Sequence, residues 1–450
     1  MTVQRRTLEL LVRHPGGTAV LGTPSGGLPV ATVDLEPDDT TVTAAVRTVR
    51  SLLDCDPPLV EAHLDFDAGH DDTATEPVGV LVVTEPAPSA WDPPRDLTWR
   101  DLGAPNPDVA PPLRPRLAQL LAEWRGEEAV PALRPAWARS GWYAAASAWI
   151  GEQLRSLGRP PAGPPEQIRH WSISAVMRTP TAARPTWFKA VFPLFHHEPA
   201  VTAAIHRLAP TSVAPVLARD DRAGWLLLDD IGADRIVGHV DGAEDAAACR
   251  ALVAIQRRFA GREAELVAIG APRRPVSGLA GEVAGVLADP EMLPWIPDVA
   301  GRCDALSEAV AQAAGEVAAL GYPDTLVHGD FHPGNVVLLD GRAVIFDWSD
   351  AAIAHPLVDA LTWSSWLDRD PERGDRAWRV FLDAWADVCP PAAANAARQA
   401  LTVAAAAYHT VSYGAILRGI EPVRRAELAD GLQHYVGLLD TTARRRMPGP

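Results

Sequence analysis

The sequence predicts an α+β protein with more than one domain, and three observations support this. The chain has 450 residues, which is longer than a single hydrophobic core usually organises. Short apolar runs bounded by glycine and proline, the pattern of β-strands, are frequent in its first half. Segments with apolar residues at helical spacing fill most of its second half. We therefore expect sheet-rich parts first and a larger helical part after them.

Charge and composition exclude several classes of function. The net charge is −16, and the sequence has no stripe of basic residues, so we expect no nucleic-acid partner. No apolar run reaches the length of a bilayer span, and the first residues lack a secretory signal pattern, so we expect no membrane partner and a cytoplasmic location. The four cysteines are far apart, which is usual in a reducing compartment and excludes a cysteine-rich zinc site.

The first part of the chain predicts a small α/β domain over residues 1–105. Residues 7–34 alternate apolar runs with glycine turns, residues 40–54 form an amphipathic pattern with a threonine pair near its start, and residues 78–83 predict a buried strand. This strand–strand–helix order resembles a Nudix fold. Nudix catalysis uses several glutamates on the helix, and TTVTAAVRTVRSLLD has none, so we expect a structural or substrate-shaping cap without hydrolase activity.

The remaining chain divides by composition into a proline-rich helical connector, a sheet-rich segment and a mostly helical segment, at residues 106–165, 166–232 and 233–450. In the sheet-rich segment, strands are predicted over residues 170–178, 186–193 and 224–232. A helix is predicted to begin at Glu198, where Pro199 suits the first turn. The sheet-rich segment ends at a polar turn, which we interpret as a hinge.

Residues 328–335, HGDFHPGN, and residues 344–350, VIFDWSD, are the candidate site for chemistry. Asp330 and Asn335 are five residues apart, and Asp347 follows twelve residues later, after an apolar strand. A loop of this length can bend back so that Asn335 and Asp347 face one phosphate-bound cation, while Asp330 accepts the proton of an attacking hydroxyl. Phosphoryl transfer needs this set, and one amide and one carboxylate suffice for Mg²⁺ because it retains waters and phosphate oxygens.

A metal-dependent hydrolase is the alternative interpretation of the same stretch. Alternate side chains of an extended segment share a face, so His328, Asp330 and His332 would point together like the ligands of a first-row metal. A proline–glycine pair interrupts the strand directly afterwards, and the best nearby candidate for another ligand is His355. This interpretation predicts phosphate release from esters without ATP.

The two motifs together resemble the Brenner motif and the metal-binding loop of the aminoglycoside phosphotransferase and choline kinase-like family. Its members are relatives of the protein kinases, so the resemblance implies a bilobal kinase-like fold, to which the N-terminal α/β domain is an addition. It also implies that Asp330 is the catalytic base, that Asn335 and Asp347 bind Mg²⁺, and that ATP donates the phosphate. His328 then braces the loop through hydrogen bonds.

A kinase-like fold requires a cation for the ATP phosphates, and Lys189 is the candidate. It lies in the predicted strand TWFKAVFP and is the single lysine among 41 basic residues. A compact ammonium can sit among phosphate oxygens where a planar guanidinium would not fit. A lysine that persists in an arginine-rich sequence therefore indicates function. Glu198, at the start of the next helix, is the candidate partner of Lys189.

The strand GWLLLDDIG matches the family's pattern before a hinge whose backbone contacts adenine. The resemblance places main-chain groups of Asp229, Asp230 and Ile231 against the base, with the two aspartate side chains solvated or capping the turn. The predicted phosphate-covering loop, MRTPTAARPTW, has no glycine, although such loops usually contain them. Ser174, next to this loop, is the candidate phosphate contact.

Other residues near the motifs have structural interpretations. His332 and Asp350 are expected to order the loop, and Asp359, in HPLVDALTW, is expected to cap a helix. Tryptophans at helical spacing pack in a core more often than they stack on ligands. Four such tryptophans cluster late in the chain, at Trp363, Trp366, Trp378 and Trp385.

The sequence thus predicts a kinase that moves the γ-phosphate of ATP to a hydroxyl of a small molecule, such as an aminoglycoside or an amino sugar. Two alternatives stay open. The glycine-free loop is compatible with a pseudokinase-like module that binds nucleotide without turnover, and the histidines are compatible with a metal-dependent phosphohydrolase. The fold leaves the acceptor open, because acceptor contacts lie in the cleft and vary on one scaffold.

Overall fold

The computed structural model describes residues 4–36, 39–64, 78–232, 242–299, 301–367 and 370–446. Strands and helices both contribute many residues, so the predicted α+β class is confirmed. The chain forms two compact units. Unit 1 consists of Met1–Phe192 and Ile420–Glu427, and unit 2 consists of Pro193–Gly419 and Leu428–Pro450.

Unit 1 combines strands with a few helices. Its strands are β1 (Arg5–Leu11), β2 (Ala19–Gly22), β3 (Val30–Asp34), β4 (Leu59–Leu64), β5 (Val78–Thr84), β6 (Thr98–Asp101), β7 (Glu166–His170), β8 (Ser174–Thr179) and β9 (Thr186–Val191). Its helices are α1 (Thr41–Leu53), α2 (Arg114–Arg125) and α3 (Trp142–Ser156). The strands and the helix predicted in the first 83 residues are confirmed within a few residues.

The first sheet of unit 1 has the strand order β3-β1-β5-β4. β1 pairs antiparallel with β3 and parallel with β5, and β4 pairs antiparallel with β5. A parallel pair needs a long crossover connection, and here that connection contains α1. α1 begins after Thr40, whose side chain forms a reciprocal capping box with Thr43. Leu8, Leu10 and Val82 belong to the core between this sheet and α1.

A buried set of charges explains why β4 has no simple strand pattern in the sequence. Its inward-facing residues include Glu61, which is 1% exposed and accepts hydrogen bonds from Arg116 at 2.8 and 2.5 Å. Arg424 lies 3.2 Å from Glu61, and Glu421 accepts hydrogen bonds from Arg116 and Arg134. We call these five residues the arginine–glutamate cluster. Through these contacts Ile420–Glu427, the short second segment of unit 1, is bound to β4 and α2.

The strands β7, β8 and β9 form an antiparallel sheet that is attached to the first sheet. Gln167 on β7 accepts from the backbone N–H of Leu59 and donates to the carbonyl of Leu59, each at 2.8 Å. The side chain thus makes the two hydrogen bonds that a neighbouring strand would make. Residues before the connector and residues 166–192 therefore belong to one compact unit, and the boundaries of the four predicted domains stay predictions.

Unit 2 is mostly helical. Its helices are α4 (Glu198–Leu208), α5 (Gly242–Phe259), α6 (Glu263–Ala268), α7 (Leu279–Leu287), α8 (Cys303–Ala318), α9 (Leu357–Trp366), α10 (Pro371–Ala384), α11 (Pro391–Ala396), α12 (Arg398–Gly419) and α13 (Ala429–Arg446). Its strands are β10 (Val216–Asp220), β11 (Trp225–Asp229), β12 (Thr325–Val327), β13 (Val336–Leu339), β14 (Arg342–Ile345) and β15 (Ala352–Ala354). β10, β13 and β15 are additions to the predicted strands.

α12 is the central helix of unit 2. In the described part of the chain it is the one helix whose length and apolar composition would suffice to cross a membrane, with a mean hydropathy of 1.3. Of that apolar stretch, 83% is buried inside the protein. α12 is therefore buried like a core helix. A helix that is surrounded by protein is apolar on all its faces, which explains the composition of α12.

Candidate functional site

A β-hairpin brings Asn335 and Asp347 to the same end of two neighbouring strands. β13 and β14 pair antiparallel in the register Val336↔Ile345, so the residues just outside this pair face each other. The N–H of Phe346 donates to the carbonyl oxygen of Asn335 at 3.0 Å. Asn335 therefore lies opposite Phe346 and one residue away from the position opposite Asp347.

The turn of this hairpin consists of Asp340 and Gly341, whose φ angles are 50° and 75°. Two consecutive residues with positive φ match the twist of hairpin strands, and Asp-Gly is a preferred sequence for such a turn. The signal is visible in VVLLDGRAVI, between two apolar runs. This turn signal predicts β13, a strand that the interpretation of the same stretch as a loop leaves out.

Asp330 lies in a loop that follows β12, and Gly329 sets the path of that loop. Gly329 has a φ of +82°, and a Cβ built on it would lie 2.1 Å from the carbonyl oxygen of Asp350. A side chain at this position would therefore clash with backbone, and the left-handed conformation also favours glycine. The contact holds the backbone beside Asp330 against the chain that follows Asp347.

Asp359 on α9 holds the same loop from inside the protein. Its carboxylate is fully buried and accepts hydrogen bonds at 2.9 Å from the N–H groups of His328 and Gly329 and from the side chain of Gln256. The expectation that Asp359 caps a helix is wrong, since the N-terminus of α9 has no side-chain cap. The carboxylate satisfies backbone donors that would otherwise be buried without partners.

His328 braces the loop, as predicted. Its Nε2 donates to the carbonyl oxygen of Phe346 at 3.0 Å, and its Nδ1 accepts from the N–H of Asp330 at 3.3 Å. Burial lowers the pKa of His328 to about 4, so the imidazole is neutral at physiological pH. Because both ring nitrogens are engaged with backbone groups, neither lone pair is free for a metal. The geometry therefore argues against His328 as a ligand.

The carboxylate of Asp330 has one oxygen that is held and one that is left for chemistry. Its Oδ2 lies 3.4 Å from His332 Nε2 and 3.4 Å from Asn335 Nδ2. The side chain is 38% exposed, so a small molecule can reach it. Burial raises the pKa of Asp330, but the hydrogen bond and charge of His332 outweigh it, and the pKa lies below its ordinary value. Asp330 is therefore ionised and able to accept a proton.

Asp347 lies in a left-handed conformation, with a φ of 62°, at the end of the hairpin. Such a backbone is uncommon for aspartate and is concentrated at functional sites. Its Oδ1 is 2.7 Å from the hydroxyl of Ser349, which is also 2.8 Å from an oxygen of Glu198. One hydroxyl hydrogen can be donated to one carboxylate at a time. The carboxylates of Asp347 and Glu198 thus meet at one hydroxyl, beside the position where the sequence predicts a divalent cation.

The oxygen donors near Asp347 fit a magnesium ion. Both hydrogens of the Asn335 amide face Asp330, since Nδ2 donates to the Asp330 carbonyl at 2.9 Å, and so the amide oxygen is the ligand side. Amide and carboxylate oxygens are the donors that Mg²⁺ prefers. The described residues contain no group of three or more His, Cys, Asp or Glu side chains that could hold a metal ion. Asn335 and Asp347 would each supply one oxygen ligand to a magnesium ion, and phosphate oxygens of the nucleotide would supply others.

The predicted hinge residues lie at the end of β11. The carboxylate of Asp229 accepts from the N–H of Asp230, and that of Asp230 accepts from the N–H of Gly232, so both side chains cap the turn. Ile231 packs in an apolar cluster with residues of the β13–β14 hairpin, among them Val337. The hinge is thereby joined to the hairpin that carries Asn335 and Asp347.

Two predicted nucleotide contacts lie in unit 1. Lys189 is half-buried on β9, opposite Val176 of β8. Ser174, at the start of β8, is buried, and its hydroxyl accepts a hydrogen bond from Trp171 at 2.6 Å. The predicted contact of Lys189 with Glu198 would join the two units and stays a prediction, as does the phosphate contact of Ser174.

Comparison with known proteins adds a family to this geometry. Residues 176–394 match the phosphotransferase enzyme family, APH. No curated protein matches the chain. The matched segment contains the Asp330 loop, the hairpin and the hinge, and it supports the predicted kinase-like fold.

Three solved structures are similar to the chain at low identity. A spectinomycin phosphotransferase in complex with ADP and spectinomycin is 12% identical, with a TM-score of 0.44, over 66% of this chain and 98% of its own. A choline kinase from Streptococcus pneumoniae is 12% identical, with a TM-score of 0.47, over 66% and 99%. A choline/ethanolamine kinase family protein from Mesorhizobium loti is 16% identical, with a TM-score of 0.46, over 67% and 99%.

Proposed function

We propose that the chain transfers the γ-phosphate of ATP to a hydroxyl of a small molecule such as an aminoglycoside or an amino sugar, and the match of residues 176–394 to the phosphotransferase enzyme family supports this proposal. The observation that carries the proposal is the convergence of Asp330, Asn335 and Asp347. The hairpin register places the last two at one end, and the packing of Gly329 holds the first beside them.

Asp330 is the proposed catalytic base. His332 and Asn335 both approach its Oδ2, so Oδ1 is the oxygen that can accept the proton of the acceptor hydroxyl. Its lowered pKa keeps it ionised at neutral pH. Positioning and charge stabilisation supply most of the rate in phosphoryl transfer, and a base that is fixed on one oxygen contributes by orienting the attacking hydroxyl.

Asn335 and Asp347 are the proposed magnesium ligands. Lys189 is the proposed contact of the ATP phosphates, and Glu198 is its proposed partner. When bound, Mg²⁺ neutralises charge on the phosphates. The backbone of Asp229 to Ile231 is proposed to bind adenine. The apolar cluster around Ile231 is a suitable surface for a planar base, because it lies on the hairpin that carries the ligands. A cytoplasmic location, where ATP is available, is part of the proposal.

The test is ADP release in the presence of Mg²⁺–ATP and a panel of hydroxylated acceptors. Asp330→Asn should reduce kcat by about 10²- to 10⁴-fold, the range for loss of a general base. Binding of ADP should stay within about twofold of wild type, since the nucleotide groups are unchanged. Retention of more than half of the turnover by Asp330→Asn would contradict the role of Asp330 as base.

The control variant is Asp340→Asn, which makes the same chemical change at the exposed hairpin turn. Asparagine also tolerates positive φ, so this variant should retain turnover. The two alternatives are not favoured by the comparisons. A pseudokinase-like module would bind ADP without releasing it from ATP, and a phosphohydrolase would release phosphate from esters without ATP.

A further inference from the structure

A turn of three residues, 171–173, joins β7 to β8 and contains no glycine. Distant parts of unit 1 fix its conformation. The indole N–H of Trp137 donates to the carbonyl oxygen of Trp171 at 2.7 Å. The N–H and the hydroxyl of Ser172 both donate to Oε2 of Glu427, at 3.0 and 2.5 Å. Ser172 is buried, so these hydrogen bonds are shielded from water.

Glu427 is itself held by the arginine–glutamate cluster. Its Oε1 accepts a hydrogen bond from Nε of Arg424 at 2.9 Å, and Arg424 lies 3.2 Å from Glu61 on β4. The side chains of Glu427 and Arg424 are only 4% and 3% exposed. A carboxylate that is buried and paired in this way is costly to move. A line of charges therefore runs from β4 through Arg424 and Glu427 to the turn 171–173.

The turn 171–173 lies close to Lys189 along the sheet. Val176 of β8 is opposite Lys189 of β9. Alternate side chains of a strand share a face, so Ser174, Val176 and Lys189 lie on the same face of the sheet. Ser174 follows the turn directly, whereas the connection from β8 to β9, in the predicted phosphate-covering loop, lies beyond Thr179. The turn is therefore nearer to Lys189 than that connection, by about 3 Å along the strand.

The turn 171–173 differs from a glycine-rich phosphate loop in how it becomes ordered. Glycines let backbone N–H groups approach phosphates, but they lose the most conformational freedom when the loop becomes ordered. Here Glu427 supplies the order in the folded protein, before nucleotide binds, and a site that is organised in advance binds its ligand more tightly. The N–H of Ile173 has no hydrogen-bond partner among the described residues, so it is left as a donor for a phosphate oxygen.

We propose that Glu427 is a positioning residue for nucleotide binding, which holds the turn 171–173, through Ser172, beside the phosphates that Lys189 contacts. The inference rests on the nucleotide site of the proposed function. It gives β4 and the segment Ile420–Glu427 a role in substrate binding, although both lie outside residues 176–394, which match the phosphotransferase enzyme family.

The experiment measures the Kd of ADP, with Mg²⁺, and the Kd of adenosine by isothermal titration calorimetry in wild type and three variants. Ser172→Ala removes one hydrogen bond to a charged group and should raise the Kd of ADP about 5- to 10-fold. Glu427→Gln weakens both hydrogen bonds and should raise it about 10- to 30-fold. The double variant should resemble Glu427→Gln, because both changes act on one contact. The Kd of adenosine, which has no phosphate, should be unchanged throughout.

The matched control is Glu123→Gln, which makes the same chemical change at another buried carboxylate of unit 1. Glu123 accepts a hydrogen bond from Arg134 at 2.6 Å. This variant should leave the Kd of ADP unchanged, while thermal unfolding measures how far it and Glu427→Gln are destabilised. If Glu427→Gln does not fold, Ser172→Ala decides, because it leaves every charge of the cluster in place.

Three results would overturn the role of Glu427. They are an unchanged Kd of ADP in Ser172→Ala, an equal weakening of ADP and adenosine, and a weakening of ADP in Glu123→Gln as large as in Glu427→Gln. ADP release from Mg²⁺–ATP with the acceptor panel tests the proposed function separately. A wild type that binds ADP, with the expected changes in the variants, but releases none from ATP would overturn the kinase activity and leave the role of Glu427. A wild type that binds no ADP would count against both.

Discussion

Glu61 in the arginine–glutamate cluster of unit 1 and Asp350 beside the Asp330 loop of unit 2 are both buried carboxylates, and their pKa values shift in opposite directions. In unit 1, burial raises the pKa of Glu61, but the charges of Arg116 and Arg424 more than offset it, and the pKa lies well below its ordinary value. In unit 2, burial and the negative charge of Asp330 raise the pKa of Asp350 to about 7.

The difference between Glu61 and Asp350 shows what decides whether a buried carboxyl group is protonated or ionised. Where guanidinium groups are within hydrogen-bond distance, the acid is ionised and forms part of the scaffold. Where the nearest strong influence is another carboxylate, the acid is held near its titration point, and the site can bind a cation or exchange a proton. The first arrangement is rigid and structural, and the second is suited to chemistry.

The largest effect should come from breaking the cluster of unit 1. Arg116→Met leaves Glu61 and Glu421 buried without this guanidinium, which contacts both. We expect the free energy of unfolding to fall by about 3–5 kcal/mol, the usual cost of leaving a buried charge uncompensated. Denaturant titration of the purified protein measures it.

A matched control for this variant is Arg5→Met, which removes an exposed partner of Asp34. Exposed ion pairs contribute between about 0 and 1 kcal/mol. The added change Glu61→Gln in the Arg116→Met background should recover part of the loss, since it removes one unpaired charge. Equal effects of the Arg5 and Arg116 variants would mean that burial does not distinguish these pairs.

An intermediate effect is expected from Gly329→Ala, which addresses the packing of the Asp330 loop. The new Cβ would meet the carbonyl of Asp350 at 2.1 Å, and the residue would keep a φ of +82°. Overpacking and left-handed strain together should cost about 2–4 kcal/mol of unfolding free energy. Phosphate transfer should be lost as well, because Asp330 is displaced. Thermal unfolding and ADP release measure the two consequences.

Gly321→Ala separates the two causes. Gly321 has a φ of +75°, and a Cβ built on it has no neighbour within 4 Å. This variant should therefore show only the conformational cost, about 1–2 kcal/mol, with turnover retained. A Gly329→Ala enzyme as active as Gly321→Ala would show that the loop does not need its close approach to Asp350.

The smallest effect should be the pH dependence that Asp350 contributes. Its pKa is raised in the folded state, from 3.8 to about 7, so the folded protein holds this proton more tightly than the unfolded chain. The resulting stabilisation is fully present below about pH 4 and is lost as the pH rises through about 7. The unfolding free energy of wild type minus that of Asp350→Asn should thus be about 2 kcal/mol larger at pH 5 than at pH 7.5.

The measurement must be made without Mg²⁺ and nucleotide, because a bound cation would favour the ionised carboxylate. Asp350→Asn keeps an acceptor for Ser412, which donates to Oδ1 at 3.0 Å. Asp340→Asn, on the exposed turn, provides a comparison at the protein surface. If the unfolding free energy of wild type minus that of Asp350→Asn rose with pH, the pKa of Asp350 would be lowered in the folded state. The assigned environment of Asp350 would then be wrong.

Motif spacing predicted the residues of the site better than their supporting contacts. Asp330, Asn335 and Asp347 could be proposed from HGDFHPGN and VIFDWSD, because loop length and donor chemistry are local properties. The role of Asp359 could not, since its carboxylate reaches donors about thirty residues earlier in the chain. Trp366 is 56% exposed, so the expectation of core packing is wrong for this residue. Its exposure was equally hidden, because its spacing is that of a core residue.

By itself, the sequence determined the α+β class, most strands and helices, and the donor atoms available for a nucleotide and a cation. Turn chemistry, apolar periodicity and the oxygen content of side chains are properties of short segments, so they can be read without a fold. Tertiary structure decided which buried charges find partners. Whether Glu61 meets arginines and Asp350 meets another carboxylate depends on contacts between distant segments, and those contacts set the charge of each group.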